Sequence, residues 1–405
     1  MPYELRPIAP EEWEAYVHLD ATAFGFTPIP EASEETRQIF EFDRTLATFD
    51  GEEIVSTTSV YSFDLTVPGG ALPTAGVTWV SVKPTHRRRG ILRQIMQRQL
   101  KDVHERNEPL AALWASESII YGRFGYGLAA QNVEFTIDRL RTSLAREGPS
   151  CGRTRLVKRE EALEAWPAVY DEVRLRQPGF YSRSKKWWGH QTLRGPDIER
   201  RAGVRFYVQY EEDGRLQGYA RYRIRGEGGS EGPSGTLSVV DLVPASESAY
   251  TALWQYLFGV DLIGTITATH RPIDEPLYWM LADPRRLVRR PYDSLWLRLV
   301  DVPPALEGRR YGAAGRLVFD LRDPFCPWNE GRYELEVGAE GARCRRTDAS
   351  PEVTLSAADL AAVYLGGSRL TTLRLAGRVE GEWATLRRAD AIFSWDPLPW
   401  CPEVF

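Results

Sequence analysis

The chain has 405 residues, of which 43% are hydrophobic and 26% are charged, and it carries a formal net charge of -5. This length exceeds what one compact core usually holds, so two to three domains are expected, and the composition is typical of a globular protein. The acidic balance argues against a general nucleic-acid-binding protein and favours cationic small molecules as partners.

The N-terminal segment lacks the apolar core of a signal peptide and is soon rich in glutamate. No apolar run is long enough to cross a bilayer. The four cysteines show neither CxxC spacing nor a histidine partner at zinc spacing: Cys151, Cys326, Cys344 and Cys401. We therefore expect reduced thiols, no metal site and no membrane segment, in a cytoplasmic protein.

The first elements are predicted in the order strand, helix, helix, strand, strand. Glu4–Ile8 is the first strand, and apolar residues at helical spacing predict a helix over Pro10–Ala23. A second amphipathic helix is expected from about Ser33 to Phe42. The strands Arg44–Asp50 and Glu53–Phe63 follow, joined by an Asp-Gly hairpin turn.

The stretch Val77–Leu92 combines a strand, a basic turn and the start of a helix. The strand ends at Pro84, which cannot continue it, and helical spacing of apolar residues begins at Ile91. The turn carries three consecutive arginines and Gly90. Helix-start amides and forked arginine side chains suit a pyrophosphate, and a glycine permits close backbone approach. This pattern predicts a diphosphate-binding loop; a solvated basic run or a nucleic-acid patch is the alternative.

Two strings carry a family resemblance. The pattern Arg87-x-x-Gly90-x-Leu92 resembles the acetyl-CoA loop of the GNAT acyltransferases, although their motif usually ends in Gly or Ala. The longer strings VKPTHRRRGILR (82–93) and ASESIIYGRFGYG (115–127) resemble the enhanced-intracellular-survival (Eis) N-acetyltransferases. The resemblance implies an α/β (α+β) fold with tandem GNAT domains, the second degenerate, followed by a sterol-carrier-protein-like C-terminal domain.

Domain boundaries are expected near residues 145 and 293, which gives domains over 1–145, 146–293 and 294–405. In the second, a strand over Thr236–Val243 and a helix over Ser246–Phe258 repeat the order found around the diphosphate loop. Only Ala245-Ser246-Glu247-Ser248 joins them, without an Arg-x-x-Gly turn. Because an acidic side chain repels phosphate, this domain should not hold CoA. In the third, strands over Gly315–Leu321 and Tyr333–Val337 fit the implied sterol-carrier fold, which is a shape and carries no inference of sterol transport.

The resemblance implies acetyl-CoA as co-substrate and nominates its contacts by position. Backbone groups of Val80 and Val82 would contact the acetyl-pantetheine arm. The remaining nominated residues are those of the loop, for the pyrophosphate, and one serine of the second string: Arg87, Arg88, Gly90, Ile91 and Ser116.

Acetyl transfer to an amine also needs a proton donor for the departing thiolate and a group that acts on the amine's proton. The resemblance implies Tyr121 as the donor, and Tyr126 is the alternative, with a structural ring between two glycines favoured for it. It also implies that the C-terminal carboxylate of Phe405 enters the active site and acts electrostatically or through water. His86 lies inside the phosphate loop and is expected to serve the turn.

The substrate pocket should be aromatic with acidic points, because a polycationic amine gains from charge pairs and cation–π contacts. By position the resemblance nominates Phe24, Tyr61, Trp79, Trp114 and Phe405. The sequence departs from the family where acids are expected, with Phe26 in the early loop and Val404 at the penultimate position, and Glu403 lies one place away.

These observations predict an acetyl-CoA-dependent N-acetyltransferase acting on aminoglycosides or similar polyamines, at one or several positions. Two alternatives stay open: a lysine N-acetyltransferase of proteins or peptides, and a non-catalytic protein that carries a hydrophobic ligand. The family resemblance also implies a homohexamer.

Overall fold

The structure, a computed structural model, describes residues 3–146, 148, 152–193, 203–226 and 234–405. The chain divides into two compact units. The first combines Met1–Ala130, Asp293–Pro399 and Val404–Phe405, and the second combines Gln131–Tyr292 and Trp400–Glu403. Of the cysteines, Cys326, Cys344 and Cys401 are buried thiols, and Cys151 lies outside the described residues.

The helices and strands follow one another along the chain in three stretches. The first holds β1 (Glu4–Arg6), α1 (Trp13–Phe24), α2 (Pro30–Arg37), β2 (Leu46–Asp50), β3 (Glu53–Val67), β4 (Gly70–Val82), α3 (Ile91–Glu105), β5 (Leu110–Leu113) and α4 (Ser118–Tyr121). The second holds β6 (Gly127–Asp138), β7 (Arg153–Val157), α5 (Arg159–Arg174), α6 (Lys185–Trp187), β8 (Val204–Glu212), β9 (Arg215–Arg225), β10 (Gly235–Pro244), α7 (Glu247–Phe258), β11 (Ile263–Pro272), α8 (Leu277–Met280) and β12 (Val288–Leu299). The third holds α9 (Val302–Glu307), β13 (Gly315–Arg322), β14 (Gly331–Gly338), β15 (Gly341–Arg346), β16 (Val353–Ser356), α10 (Ala357–Tyr364), α11 (Leu370–Leu375), β17 (Glu380–Gly381) and α12 (Trp383–Phe393).

In the first unit, a sheet runs in the order β1-β2-β3-β4-β5-β12. Neighbours pair antiparallel except β4 and β5, which are parallel and joined through α3. A right-handed crossover helix is the usual link between parallel neighbours. The apolar face of α3 packs on this sheet through Ile95, Met96, Leu100 and Val103, all buried. This strand–loop–helix–strand unit sets the position of the predicted diphosphate loop.

Helix α2 begins at Pro30 and ends at Arg37, earlier than the span predicted from sequence. Proline is favoured in the first helical turn because its missing N–H would have no acceptor there. Phe40, expected on this helix, lies beyond its end and packs edge-on against Trp13 with ring centroids 4.6 Å apart. The aromatic spacing therefore reflects a core contact beneath α1, and the helix is shorter than the apolar pattern suggested.

A second, five-stranded sheet of the first unit follows the order β15-β14-β13-β16-β17, with β13 and β16 parallel. Helix α10 begins with a capping box in which Ser356 and Asp359 satisfy each other's backbone N–H groups. The residues of α10 are buried along its whole length. This C-terminal part is thus a packed layer of helices and sheet with its own core.

In the second unit, the strands run in the order β6-β11-β10-β9-β8-β7. The pairing repeats that of the first unit, because β10 and β11 are parallel and joined through α7 while the other neighbours are antiparallel. A core of aromatic and aliphatic side chains that includes Leu253, Trp254 and Leu257 lies between α7 and this sheet. Among the described residues, no helix is both long and apolar enough to cross a membrane.

Candidate active site

A β-bulge interrupts the pairing of β3 with β4 just before the diphosphate loop. Ser59 pairs with Thr78 and Thr57 pairs with Ser81, so Thr58 alone faces two residues of β4. One of these is Trp79, whose φ of 54° is unusual for a bulky side chain. The hydroxyl of Thr57 donates to the Trp79 carbonyl at 2.8 Å, which helps to hold the bulge. The bulge changes which face of β4 each following side chain occupies.

The parallel strands β4 and β5 separate after a short contact. Thr74–Gly76 of β4 pair with Leu110–Ala112 of β5, and no further pairing follows between them in the described residues. The Lys83 N–H donates to β3, and alternation along the strand then turns the N–H groups of Val80 and Val82 away from β3. Two backbone donors thus face the opening between β4 and β5.

The loop after β4 has the backbone shape that its glycine and arginines suggested. Gly90 caps α3 with a φ of 82°, and Arg88 is also left-handed with a φ of 64°. The N–H groups of the first turn of α3 have no acceptor within the helix. The Arg87 guanidinium donates to the Ala23 carbonyl of α1 at 3.2 Å, which fixes the loop against that helix.

His86 serves the turn, as expected from sequence. Its ring nitrogens lie 2.9 Å from the Thr85 hydroxyl and 3.3 Å from the Asp50 carboxylate. The edge of the ring also faces Tyr3, with centroids 6.1 Å apart. These contacts hold the histidine within the loop, where it also lines the cavity described next.

A cavity of about 780 Å³ in the first unit lies against this loop. Its lining includes every residue nominated for acetyl-CoA, the nominated proton donor and one nominated substrate residue: Val80, Val82, Arg87, Arg88, Gly90, Ile91, Ser116, Tyr121 and Phe24. The volume lies within the range of pockets that bind small molecules and cofactors. Cationic side chains, free helix-start amides and strand amides therefore share one cavity, and this combination suits an anionic diphosphate with an extended arm.

Tyr121 lies at the end of α4 and is 4% exposed. Burial raises the pKa of its hydroxyl to about 12, and a hydrogen bond from Ser116 partly offsets this rise. The Tyr121 hydroxyl is therefore protonated at neutral pH. Its ring meets that of Tyr126 edge-on, with centroids 6.0 Å apart. Tyr126 is fully buried in the core beneath α3, and its hydroxyl has no hydrogen-bond partner among the described residues.

Trp79 and Tyr61 do not line this cavity. The Trp79 ring packs in the aromatic cluster beneath α1, with centroids 5.8 Å from Trp13 and 5.9 Å from Tyr16. Tyr61 is buried on β3 with its centroid 6.0 Å from that of Phe63. Both residues are close to the bulge, and their role in substrate binding remains a prediction.

Phe405 and Trp114 also lie outside the lining of this cavity. The Phe405 ring packs on Phe63 of β3 with centroids 5.3 Å apart, over the position of Gly76 on β4. Trp114 directly follows β5 and is half-buried. The last residue of the sequence is thus packed on the β3–β4 hairpin, and its chemical role is likewise a prediction.

Sequence analysis raised Glu403 as a replacement for the missing penultimate acid. In the structure its carboxylate is already paired with other side chains. In the second unit its carboxylate accepts hydrogen bonds from the Arg183 guanidinium and, at 2.8 Å, from Trp187 Nε1. Arg183 is buried against the face of Tyr170 at 3.8 Å and lies 3.6 Å from Asp241. Because Glu403 neutralises a buried cation, it does not offer a free negative charge. Phe26 and Val404 are exposed and apolar.

A buried carboxylate that sequence analysis missed lies beside the cavity. Asp20 of α1 is 7% exposed and accepts a hydrogen bond from the Ser81 hydroxyl. Ser81 lines the cavity between Val80 and Val82, and it is 4% exposed. Burial raises the pKa of Asp20 from 3.8 to about 6, and the Ser81 hydrogen bond partly opposes this rise. A polar residue in an otherwise apolar helix face was the available signal.

The equivalent loop of the second unit lacks the features of a phosphate site. The Ser246 side chain accepts a hydrogen bond from the Ala249 N–H and so caps α7 itself. Glu247 occupies the first turn of the helix. The helix-start donors are partly satisfied and a negative charge stands beside them, so phosphate binding is disfavoured. This agrees with the expectation of a degenerate second GNAT domain.

The comparisons with known proteins agree with this architecture. The GNAT acetyltransferase domain families match residues 4–129 and 179–299, and the sterol carrier protein domain family matches residues 302–402. The chain is 40% identical over 412 residues to an uncharacterized N-acetyltransferase of Streptomyces avermitilis, covering 100% of both chains.

Two of the other similar proteins carry the name Eis. The chain is 33% identical over 404 residues to the N-acetyltransferase Eis of Mycobacterium tuberculosis, covering 95% of each chain. The crystal structure of Eis1 from Mycobacterium abscessus superposes with a TM-score of 0.87 at 33% identity, over 99% of this chain and 100% of that chain. These matches identify an acetyltransferase with two GNAT domains and a C-terminal sterol-carrier-like domain. The chain therefore belongs to the Eis family of GNAT N-acetyltransferases.

Proposed function

We propose that this enzyme transfers the acetyl group of acetyl-CoA to amines of aminoglycosides or similar polyamines, at one or several positions. The proposal rests on one observation: the arginine loop, the start of α3, the strand residues Val80 and Val82, and Tyr121 line the same cavity. A diphosphate site alone would suit many nucleotides. The neighbouring buried tyrosine and strand donors add the groups that acyl transfer needs.

Acetyl-CoA is assigned to the cavity by the chemistry of its lining. Arg87 and Arg88 supply positive charge, and Gly90 and Ile91 supply backbone at the start of α3, for the diphosphate. The N–H groups of Val80 and Val82 point toward the opening beside β4 and pair with the amide-bearing pantetheine arm. Ser116 also lines the cavity, where it would contact the cofactor, and its hydrogen bond to Tyr121 orients the proton donor.

The acyl-transfer step uses three actions of the chain. Backbone N–H groups at the opening of β4 stabilise the negative charge that develops on the thioester oxygen. Tyr121, protonated at neutral pH, gives its proton to the departing thiolate. The carboxylate of Phe405 attracts the cationic amine or acts on it through water. An ordinary α-carboxyl has a pKa of about 3.5 and is ionised at neutral pH.

The preference for cationic amines is supported by the acidic net charge of -5 and by aromatic side chains near the site. Phe24 lines the cavity, and the rings of Tyr61 and Phe405 lie on the adjacent hairpin. The chain lacks the acids that the family places at Phe26 and Val404, and Glu403 is already paired. We therefore expect weaker discrimination in favour of highly charged aminoglycosides than those acids would give.

An assay of thiol release tests the proposal. The purified protein is incubated with acetyl-CoA and, in separate reactions, kanamycin, spermidine and a lysine-containing peptide, and free CoA is measured against time. We expect release above the amine-free rate with kanamycin or spermidine, and mass spectrometry of the product counts the acetyl groups. Release with the peptide alone would replace this substrate class with protein lysines. No release with any amine would contradict acetyl transfer, although binding of a hydrophobic ligand would then gain support.

The assembly and cellular location are part of the same proposal. The shared three-domain layout is the reason to expect a homohexamer, and cysteines predicted from their spacing to be reduced thiols are the reason to expect a cytoplasmic enzyme. Light scattering of the purified protein measures the first directly. A monomeric mass at working concentration would remove the hexamer from the proposal without affecting the cavity.

A further inference from the structure

The cavity beside the diphosphate loop collects more arginines than the proposed diphosphate contacts use. Among the residues that the structure describes, its lining holds one carboxylate, that of Glu117, and four arginines: Arg87, Arg88, Arg93 and Arg123. The diphosphate is assigned to Arg87 and Arg88, together with backbone at the start of α3. Arg93 and Arg123 are therefore left in the cavity without an assigned anionic partner.

Neither of these two arginines forms an ion pair with a carboxylate in the described part of the chain. Arg98, on the same helix α3 as Arg93, shows the contrast, because its guanidinium lies 2.7 Å from the Asp102 carboxylate. The chain as a whole is acidic, with a net charge of -5, so carboxylates are scarce only around the cavity. Such a local concentration of positive charge attracts an anionic ligand.

Arg93 and Arg123 are held beside each other by a pair of aromatic rings. The rings of Phe124 and Phe325 lie with centroids 4.9 Å apart. The Arg93 guanidinium lies 5.5 Å from the Phe325 centroid, and the Arg123 guanidinium lies 5.5 Å from the Phe124 centroid. Arg123 Nε also donates to the Ile120 carbonyl at 2.8 Å. These contacts orient both side chains, and cation–π contacts leave the guanidinium N–H groups able to donate to a ligand.

Arg87 is held in another part of the lining. Its guanidinium donates to the Ala23 carbonyl near the end of α1 at 3.2 Å and to the Val82 carbonyl of β4 at 3.4 Å. The arginines thus form two groups, one against α1 and β4 and one on the Phe124–Phe325 ring pair. A ligand that neutralises both groups needs negative charge in two places.

CoA has this distribution of charge. Its diphosphate bridge is one anionic group, and the phosphate monoester on the 3′ carbon of its ribose is the other. A phosphate monoester carries about -1.5 to -2 charges at neutral pH and offers three acceptor oxygens. Forked guanidinium groups match such oxygens in geometry as well as in charge.

We propose that Arg93 and Arg123 bind the 3′-phosphate of CoA, so that the enzyme selects acetyl-CoA over its 3′-dephospho form. The inference rests on the proposed acetyl transfer and names the residues that determine its cofactor specificity. Both side chains act on the nucleotide end of the cofactor and take no part at the reacting atoms.

Calorimetry with the full-length wild-type protein tests the preference directly. CoA and 3′-dephospho-CoA are titrated in separate experiments without any amine, so the result does not depend on turnover. We expect CoA to bind about 10- to 100-fold more tightly, as hydrogen bonds between charged groups imply. Equal affinity for the two ligands would overturn the inference and leave acetyl transfer standing. Failure of both ligands to bind would contradict the proposed function as well.

Arg93→Gln and Arg123→Gln, made singly and together, assign the preference to these side chains. Both residues are exposed, so the fold should tolerate the changes. In the double variant we expect the affinity for CoA to fall about 10- to 100-fold, while the affinity for 3′-dephospho-CoA stays within about twofold. Arg123→Lys, which keeps the charge without the fork, should lose less than Arg123→Gln. A double variant that kept the wild-type preference, or that lost affinity for both ligands equally, would overturn the assignment.

Arg98→Gln is the matched control. It removes an arginine from the same helix as Arg93, but Arg98 does not line this cavity. The ratio of the two affinities should stay at its wild-type value. In turnover with spermidine, the double variant should raise the KM for acetyl-CoA and leave that for acetyl-3′-dephospho-CoA unchanged, with the same kcat at saturation. A fall in kcat with an unchanged KM would place the two arginines at the reacting atoms and overturn the proposal.

Discussion

Tyr121 combines two properties that a proton donor to a thiolate needs. Its hydroxyl stays protonated at neutral pH because burial raises its pKa to about 12, and it lies on the wall of the cavity beside Ser116. Tyr126 lies close by in sequence and shares an edge-on ring contact with it. Both side chains belong to the same core cluster, but only Tyr121 also lines the cavity.

This difference gives a prediction at the residue scale. Tyr121→Phe should lower kcat by about 100-fold or more, because the thiolate must then leave without an acid, while acetyl-CoA affinity measured by calorimetry stays unchanged. Tyr126→Phe removes a buried hydroxyl that has no partner in the described residues, so it should keep the activity and lose no stability. Equal turnover by Tyr121→Phe and wild type would remove Tyr121 from the mechanism.

At the scale of single elements, the loop between β4 and α3 depends on backbone shape. Gly90 has a φ of 82°, and a Cβ added there would meet no atom within 4 Å. A substitution is therefore opposed by conformational strain alone, which is about 1–2 kcal/mol for an L-residue in the left-handed region. Relief of that strain would turn the first amides of α3 away from the diphosphate.

Gly90→Ala should thus raise the KM for acetyl-CoA about five- to thirtyfold and leave kcat at saturating acetyl-CoA nearly unchanged. Gly214→Ala is the matched control, because Gly214 has a φ of 73°, equally open surroundings and a place in a hairpin of the second unit. Both variants should lose similar stability, and Gly90→Ala alone should lose acetyl-CoA affinity. A normal KM in Gly90→Ala would contradict the diphosphate assignment.

The diphosphate loop and the buried contact between Asp20 and Ser81 also show how far sequence reasoning reaches. The loop was predictable because Pro84, the arginines and Gly90 are adjacent and act through local backbone geometry. The Asp20–Ser81 contact was not predictable, because 61 positions separate the two residues and only the packing of α1 on β4 joins them. The bulge at Trp79 has no local sequence signal either, and it places the Trp79 ring against Trp13 beneath α1.

At the scale of the whole molecule, the family resemblance predicted the three domains. The contacts of single residues could be seen only in the folded structure. Glu403 is an example, since an acid near the end of the chain suggested a substrate contact. Its partners Arg183 and Trp187 are more than two hundred positions away in the sequence and give no local signal. The buried pair fixes residues 400–403 within the second unit. Trp400 contributes through a hydrogen bond of 2.6 Å from its indole to the His270 carbonyl.

This anchoring makes an extension of the chain after Phe405 an informative test. Added residues convert the α-carboxylate of Phe405 to an amide and place bulk beyond its ring, which packs on Phe63 at 5.3 Å. Because Glu403 and Trp400 hold the preceding segment through buried contacts, the fold should tolerate the addition. A short Gly-Ser extension should therefore lower kcat at least about tenfold, as expected when a group that stabilises charge is lost, with unchanged melting temperature and acetyl-CoA affinity. The same extension placed before residue 1 is the control and should have no effect. Full activity in the C-terminally extended protein would exclude the carboxylate of Phe405 from the reaction.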